Sequence, residues 1–163
     1  MPQRFWMLCA CLLIAGKLYA QKTNGYEPSP RTKTSLNIGW KFFAGNPEAT
    51  YYQKNVNDAD WQTVHVPHTL ELASLNLNNS TDEKSQETFQ RNVGWYRRDV
   101  TVPADAQKVY VEFEGAHQVT DVWVNGKHVG QHKVGGYTPF HFDISTFVEK
   151  GAKNQLTLLV DNR

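Results

Sequence analysis

An all-β fold, a sandwich of short antiparallel strands, is what this sequence predicts. Aromatic residues make up 12 % of the chain and accompany many Val and Thr, the side chains that suit a pleated sheet. About eight short runs of alternating or apolar residues follow one another at close spacing, as the strands of a sandwich do. Within one of them, Val122 to Val129, stands Asn125-Gly126, the pair that supplies the two positive φ angles of a tight hairpin turn.

The 163 residues give room for one domain, and 40 % hydrophobic against 20 % charged residues is the balance of an ordinary globule. Lys plus Arg number 17 and Asp plus Glu 16, a net charge of +1. So small a charge builds no field to gather phosphates, and no nucleic-acid partner is expected.

The first twenty residues differ in kind. Arg4 precedes an apolar run from Phe5 to Gly16, and Leu18-Tyr19-Ala20 offers a small residue where a signal peptidase would cut, so residues 1–20 read as a signal peptide. An apolar run of about 12 residues falls short of the roughly 20 that a bilayer core demands, and no membrane span is expected in the mature chain. Export to the periplasm or the cell exterior follows as an expectation. Both cysteines, Cys9 and Cys11, lie inside the leader, so no disulfide framework is expected. Residues 21–34, rich in Pro, Lys, Thr and Gly, read as a flexible linker, and the domain is expected to occupy residues 35–163.

The strands are expected in the following order. Leu36 to Phe43 is the first, followed by a loop that starts at Asn46-Pro47 and carries Tyr51 and Tyr52. Trp61 to Val66 alternates and is closed by Pro67, which has no amide to donate. Leu75 to Gln90 is polar and reads as a long excursion. Gly94 to Val102, Lys108 to Phe113, Val119 to Val124, His128 to His132, Pro139 to Asp143 and Gln155 to Val160 complete the set. A two-residue turn at Asn125-Gly126 pairs Val124 with Lys127, Trp123 with His128 and Val122 with Val129. That register places Thr120, Val122, Val124, Val129 and Gln131 on the core face, and Val119, Asp121, Trp123, His128 and His132 on the other.

Several residues have the types that catalytic or metal sites use. Glu112 and Glu114 are two carboxylates, but along a strand they stand about 6.8 Å apart and parallel, with no cleft between them, so a solvated face is the plainer reading. His65 with His68, and His128 with His132, would suit a metal on a helix; on strands, four residues span about 13 Å, and no metal is expected. No glycine elbow flanks Ser35 or Ser145, and no phosphate-binding loop is present, so neither a hydrolase triad nor a cofactor is expected. Trp40, Trp61, Trp95 and Trp123 could stack on sugar rings, although about two in three of such rings are expected in the core.

Taken together, Leu36 to Phe43, Asp60-Trp61, Val66 to Thr69, Gly94 to Arg98, Phe113 to Gly115, Val122 to Gly126, Gly130 to Phe140, Phe142 to Ile144 and Val160 to Asn162 resemble, in this order, the N-terminal sugar-binding domain of family 2 glycoside hydrolases. Exported β-galactosidases are the nearest likeness, with β-glucuronidases and β-mannosidases next. The resemblance implies a jelly-roll β-sandwich of the galactose-binding-domain type, followed in a complete enzyme by immunoglobulin-like and barrel domains that would be its partners. The two catalytic glutamates belong to the barrel, so no catalytic residue is assigned here. Asp161 and Asn162 are the substrate-binding candidates, since the family's strand at this point leads toward the active site; strand-end capping is the competing reading. Leu70 stands where the family commonly has an aromatic. The resemblance also implies a further strand after Arg163, without which an unpaired edge and marginal stability are expected.

The expected function is therefore that of the sugar-binding accessory domain of an exported retaining β-glycosidase, most readily a β-galactosidase, with carbohydrate as ligand. A stand-alone carbohydrate-binding module, or a purely structural domain, is the alternative.

Overall fold

The computed structural model describes residues 31–69 and 92–163. The expected leader, most of the linker, Leu70 and the polar run from Leu75 to Gln90 lie outside the described residues. Residues 35–163 make up one compact unit. Of the separate unit formed by residues 1–34, only 31–34 are described, and they carry no regular secondary structure.

Among the described residues are eight strands, each overlapping an expected run: β1 (Ile38–Ala44), β2 (Gln62–His65), β3 (Val93–Thr101), β4 (Tyr110–Phe113), β5 (Val119–Val124), β6 (Lys127–His132), β7 (Phe140–Asp143) and β8 (Lys153–Asp161). Six make one antiparallel sheet in the order β2-β1-β3-β8-β5-β6, and β4 pairs with β7 in a second. Strand β8 is interior, with β3 along one side over nine residue pairs and β5 along the other. Both of its neighbours satisfy its backbone amides and carbonyls, which buried strands require.

The period-2 alternation of the sequence decides what lies between the sheets. Trp40 and Phe42 from β1, Tyr96 from β3, Val122 and Val124 from β5, and Leu156 and Leu158 from β8 meet Val111 and Ile144 from the β4 and β7 side in one buried cluster. Tyr110 and Glu112 of β4 are exposed while Val111 is buried, the half-buried strand expected from its alternation. At one margin of this core, His68 Nδ1 lies 3.0 Å from the Tyr96 hydroxyl and its ring packs on Phe42 at 4.6 Å.

The hairpin turn forms at Asn125 and Gly126, with φ of 52° and 80°. Its first two pairs, Val124 with Lys127 and Trp123 with His128, are those expected. Beyond them the register departs from expectation. A bulge lets Val122 face Gly130 instead of Val129, so Asp121 pairs with Gln131 and Thr120 with His132. Gln131 therefore lies on the outer face, where its amide donates to Asp121, and His132 turns to the opposite side, stacking on Phe140 at 4.0 Å. In this register the ring of Phe142 approaches so close to residue 130 that a Cβ there would lie 2.6 Å from Cε1. Glycine alone fits opposite Val122, and the half-buried Val129 packs beside it as the extra residue.

Two asparagines fasten this hairpin to the end of the β7–β8 connection. Asn125 donates through Nδ2 to Phe147 O and to Asn154 Oδ1, while its own Oδ1 accepts from Gln155 N. Buried Asn154 also accepts from Glu149 N and donates to Glu149 O and Ala152 O, so every polar atom of its amide is used.

Substituting Gly130→Ala is expected to push the Phe142 ring off its seat and to lower stability by about 1–3 kcal/mol. A urea unfolding midpoint that falls with unchanged slope would register it.

Candidate functional site

The outer face of the large sheet is covered although, among the described residues, no second sheet lies on it. Alternation sends Phe43, Trp95, Arg97, Trp123 and Thr157 to this face, and the loop between β1 and β2 folds over them. Tyr51 of that loop meets Phe43, Trp61 and Trp95 at 5.1–5.7 Å, edge to face in each case. Tyr52 stacks on Trp123 at 5.4 Å with an interplanar angle of 13°. Such aromatic pairs add to the burial that holds the loop down.

Arg97 stands at the centre of this layer and is 1 % exposed. Its Nε donates to Asp58 Oδ2 at 2.9 Å, and Nη1 donates to the carbonyl oxygens of Tyr51 and Gln53. The Trp61 ring lies 5.9 Å from the guanidinium carbon. A buried cation is tolerable only when it is paired and hydrogen-bonded, and the loop supplies a carboxylate and two carbonyls for the purpose. Arg97 was not among the residues singled out from the sequence. One signal was available: Trp95 and Tyr96 are adjacent and both large, which marks a strand covered on both faces.

Of the four tryptophans weighed as sugar platforms, Trp40 and Trp95 are buried at 3 % and 1 %. Trp61 and Trp123 are partly exposed, and both engage the loop aromatics. His65 accepts from Gly39 N, and His128 lies 2.8 Å from Asp121, while the hairpin bulge sends His132 to the other face. Among the described residues, no group of three or more His, Cys, Asp or Glu converges on a metal position.

The two binding candidates close the end of β8. Asp161 accepts through Oδ1 from Arg163 N and Nε, and through Oδ2 from Arg163 Nη2 at 2.7 Å. This pairing holds its carboxyl below the usual 3.8. The backbone carbonyl of Asp161 accepts from Gln118 N, and Asn162 Oδ1 accepts from Asn92 N. Asp161 and Asn162 thus tie together the start of β3, the approach to β5 and the end of β8, all at one end of the sandwich. Within the described residues they act as strand-end caps.

The profile of glycosyl hydrolases family 2, sugar binding domain, matches residues 34–162. The chain belongs to this family. A β-glucuronidase of Formosa agariphila is 32 % identical over 159 residues, covering 96 % of this chain and 16 % of that protein. A β-galactosidase of Thermoanaerobacter pseudethanolicus is also 32 % identical, over 82 % of this chain and 17 % of its own length. Among solved structures, a β-glucuronidase from glycoside hydrolase family 2 superposes with a TM-score of 0.65 at 31 % identity, covering 82 % of this chain and 15 % of that one. A family 2 member from Bacteroides cellulosilyticus gives a TM-score of 0.66 at 27 % identity. The chain thus spans about a sixth of the relatives it matches, and corresponds to the N-terminal domain of family 2 glycosidases. The sandwich described above is that domain.

Breaking the central ion pair from its two sides should have unequal effects. Asp58→Ala leaves the Arg97 charge buried without its carboxylate and is expected to cost roughly 3 kcal/mol, whereas Arg97→Met, which removes the charge and keeps the bulk, should cost less. Chemical denaturation of both variants checks the order. At the β8 end, the lowered carboxyl of Asp161 contributes stability above 3.8 that is lost as pH falls through its folded-state value. Arg163→Gln is expected to move the Asp161 titration, followed by carboxyl-carbon NMR, back toward 3.8.

Proposed function

We propose that this domain is the N-terminal sugar-binding part of an exported retaining β-glycosidase, and that its substrates are β-glucuronides. The observation that supports the reading is the continuous family match over residues 34–162, joined to a β-glucuronidase that is 32 % identical over 96 % of this chain, a longer stretch than the β-galactosidase of the same identity covers. The signal-peptide reading of residues 1–20 supports export. In such an enzyme, hydrolysis with retention uses one carboxylate as nucleophile and another as acid and base, about 5 to 5.5 Å apart. Glu112 and Glu114 are exposed on and beyond the open face of β4, so the pair would come from outside this domain. The sandwich contributes a rigid wall and its β8-end loops, where Asp161 and Asn162 would face the non-reducing sugar once Arg163 yields its hold.

A second reading, β-galactosidase, is favoured by the Thermoanaerobacter relative and by a β-galactosidase of Bacteroides ovatus that is 29 % identical over 82 % of this chain.

The test is to express the coding sequence that carries this domain, with whatever follows Arg163, and to assay nitrophenyl β-glucuronide against nitrophenyl β-galactoside. Turnover of the glucuronide at least about tenfold faster is expected, a transition-state preference of about 1.4 kcal/mol. Preference for the galactoside would establish the second reading. Cleavage of neither would leave a binding or structural domain and overturn both.

A further inference from the structure

The Asn125-Gly126 turn of the β5–β6 hairpin carries a chemistry of its own. In an Asn-Gly pair the backbone nitrogen of the glycine can attack the side-chain carbonyl carbon of the asparagine, because no Cβ on the glycine hinders the approach. The bond from Gly126 N to Asn125 Cγ forms, the Cγ–Nδ2 bond breaks, and Nδ2 leaves as ammonia with the proton that Gly126 N gives up. Water then opens the cyclic imide at one carbonyl or the other, leaving aspartate or isoaspartate at position 125. Carboxamide and water are consumed, carboxylic acid and ammonia are produced, and neither metal nor oxidant enters the balance.

In the folded domain both halves of the pair are held. Asn125 Nδ2 donates to Phe147 O at 3.0 Å and to Asn154 Oδ1 at 2.7 Å, and Asn125 Oδ1 accepts from Gln155 N at 3.1 Å. The backbone adds a fourth bond, from Asn125 N to Gln155 O at 2.9 Å. These partners stand 22 to 30 residues further along the chain, so only the folded protein supplies them. On the other side the β1–β2 loop passes close to Gly126, with Tyr52 O and Lys54 N at 3.7 and 3.8 Å from where a Cβ would stand. Ring closure needs Asn125 Cγ to swing over the glycine nitrogen, and a carboxamide so tied cannot make that swing while the clamp is shut.

The clamp also has a polarity that the product violates. Aspartate sets an oxygen where Nδ2 stood, facing Phe147 O and Asn154 Oδ1, two acceptors with no proton to offer. Asn154 is not free to turn its amide round, since its Nδ2 serves Glu149 O and Ala152 O while its Oδ1 takes Glu149 N. Isoaspartate routes the main chain through Cβ and Cγ and so lengthens a turn whose register admits two residues. We infer that Asn125 is a one-way modification site: protected while the hairpin is clamped, it deamidates when the turn opens, and its product keeps the clamp from closing again. Opening at this end of the sandwich is thereby made irreversible by chemistry in the chain itself.

The test incubates the whole chain at mildly alkaline pH, in native buffer and in guanidinium chloride above the unfolding midpoint. Peptide mass mapping follows conversion at Asn125 and keeps it apart from the other Asn-Gly pair, Asn24-Gly25. Conversion of Asn125 is expected to be at least about tenfold slower in native buffer, because attack waits on a minor open state. Asn154→Ala removes one partner and is expected to speed the native rate about threefold. Val111→Ala, which opens a cavity in the core, is compared at the denaturant concentration that leaves it equally folded, and is expected to be slower than Asn154→Ala. After removal of denaturant, chains with aspartate or isoaspartate at 125 are expected to be digested by protease while chains that keep Asn125 resist it. The first and last measurements need no variant. Equal rates in native buffer and denaturant, equal rates for the two variants, or return of the converted chains to the resistant fold would each overturn the inference.

Discussion

A buried guanidinium governs how this sandwich is built. With six strands in one sheet and two described in the other, the larger sheet turns a broad face away from its partner layer. Arg97 lies in the middle of that surface, and its charge cannot be buried without a carboxylate and carbonyl oxygens arriving from elsewhere. The β1–β2 loop brings them, and in doing so delivers Tyr51 and Tyr52 onto the rings of Trp95 and Trp123. Polar demand and aromatic burial thereby fix one conformation of a segment that has no regular secondary structure of its own for most of its length. Removing either would leave the other without its geometry.

Strand positions were legible because the sandwich obeys the simplest of periodicities. Wherever one face is buried and the other wet, as in β4 with Val111 inward and Glu112 outward, alternation in the sequence is the fold written directly. The turn at Asn125-Gly126 was equally plain, since few residues accept its backbone angles. The bulge at Val129 was not, because nothing local demands it: it goes with a contact made in tertiary structure, the Phe142 ring reaching residue 130 from the other sheet. The burial of Arg97 was hidden for a related reason. Arg97 and Arg98 are identical in type and adjacent, and only the fold of a non-periodic loop decides that the first is entombed while the second reaches Leu36 O from the opposite side of β3.

The candidate site shows the same division. That Asp161 and Asn162 end a strand could be read from their turn-favouring side chains, and the family resemblance drew attention to them. Their partners, Arg163 and Asn92, could not be read, for Asn92 is seventy residues away and meets Asn162 only because β3 and β8 pair over their full length. Fold and family were accessible from pattern; the covering of the outer face by the β1–β2 loop is a product of tertiary structure alone.

The amide clamp between Asn125 and Asn154 bears on how the domain would come apart in acid. Neither side chain titrates, and both are held among neutral carbonyls and amides, so this junction keeps its strength whatever the proton or salt concentration. The carboxylates with lowered pKa sit instead at strand ends: Asp143, drawn down to about 2 chiefly by hydrogen bonding to Ser145, closes β7, and Asp161 closes β8. Protonating Asp161 thus loosens the tip of β8, whereas Asp143 stands beside the laced hairpin and turn at the opposite end, four residues before Phe147. Acid therefore acts at both ends of the sandwich, but only at the clamped end does a neutral amide network stand ready to hold the strands when the carboxylate is lost.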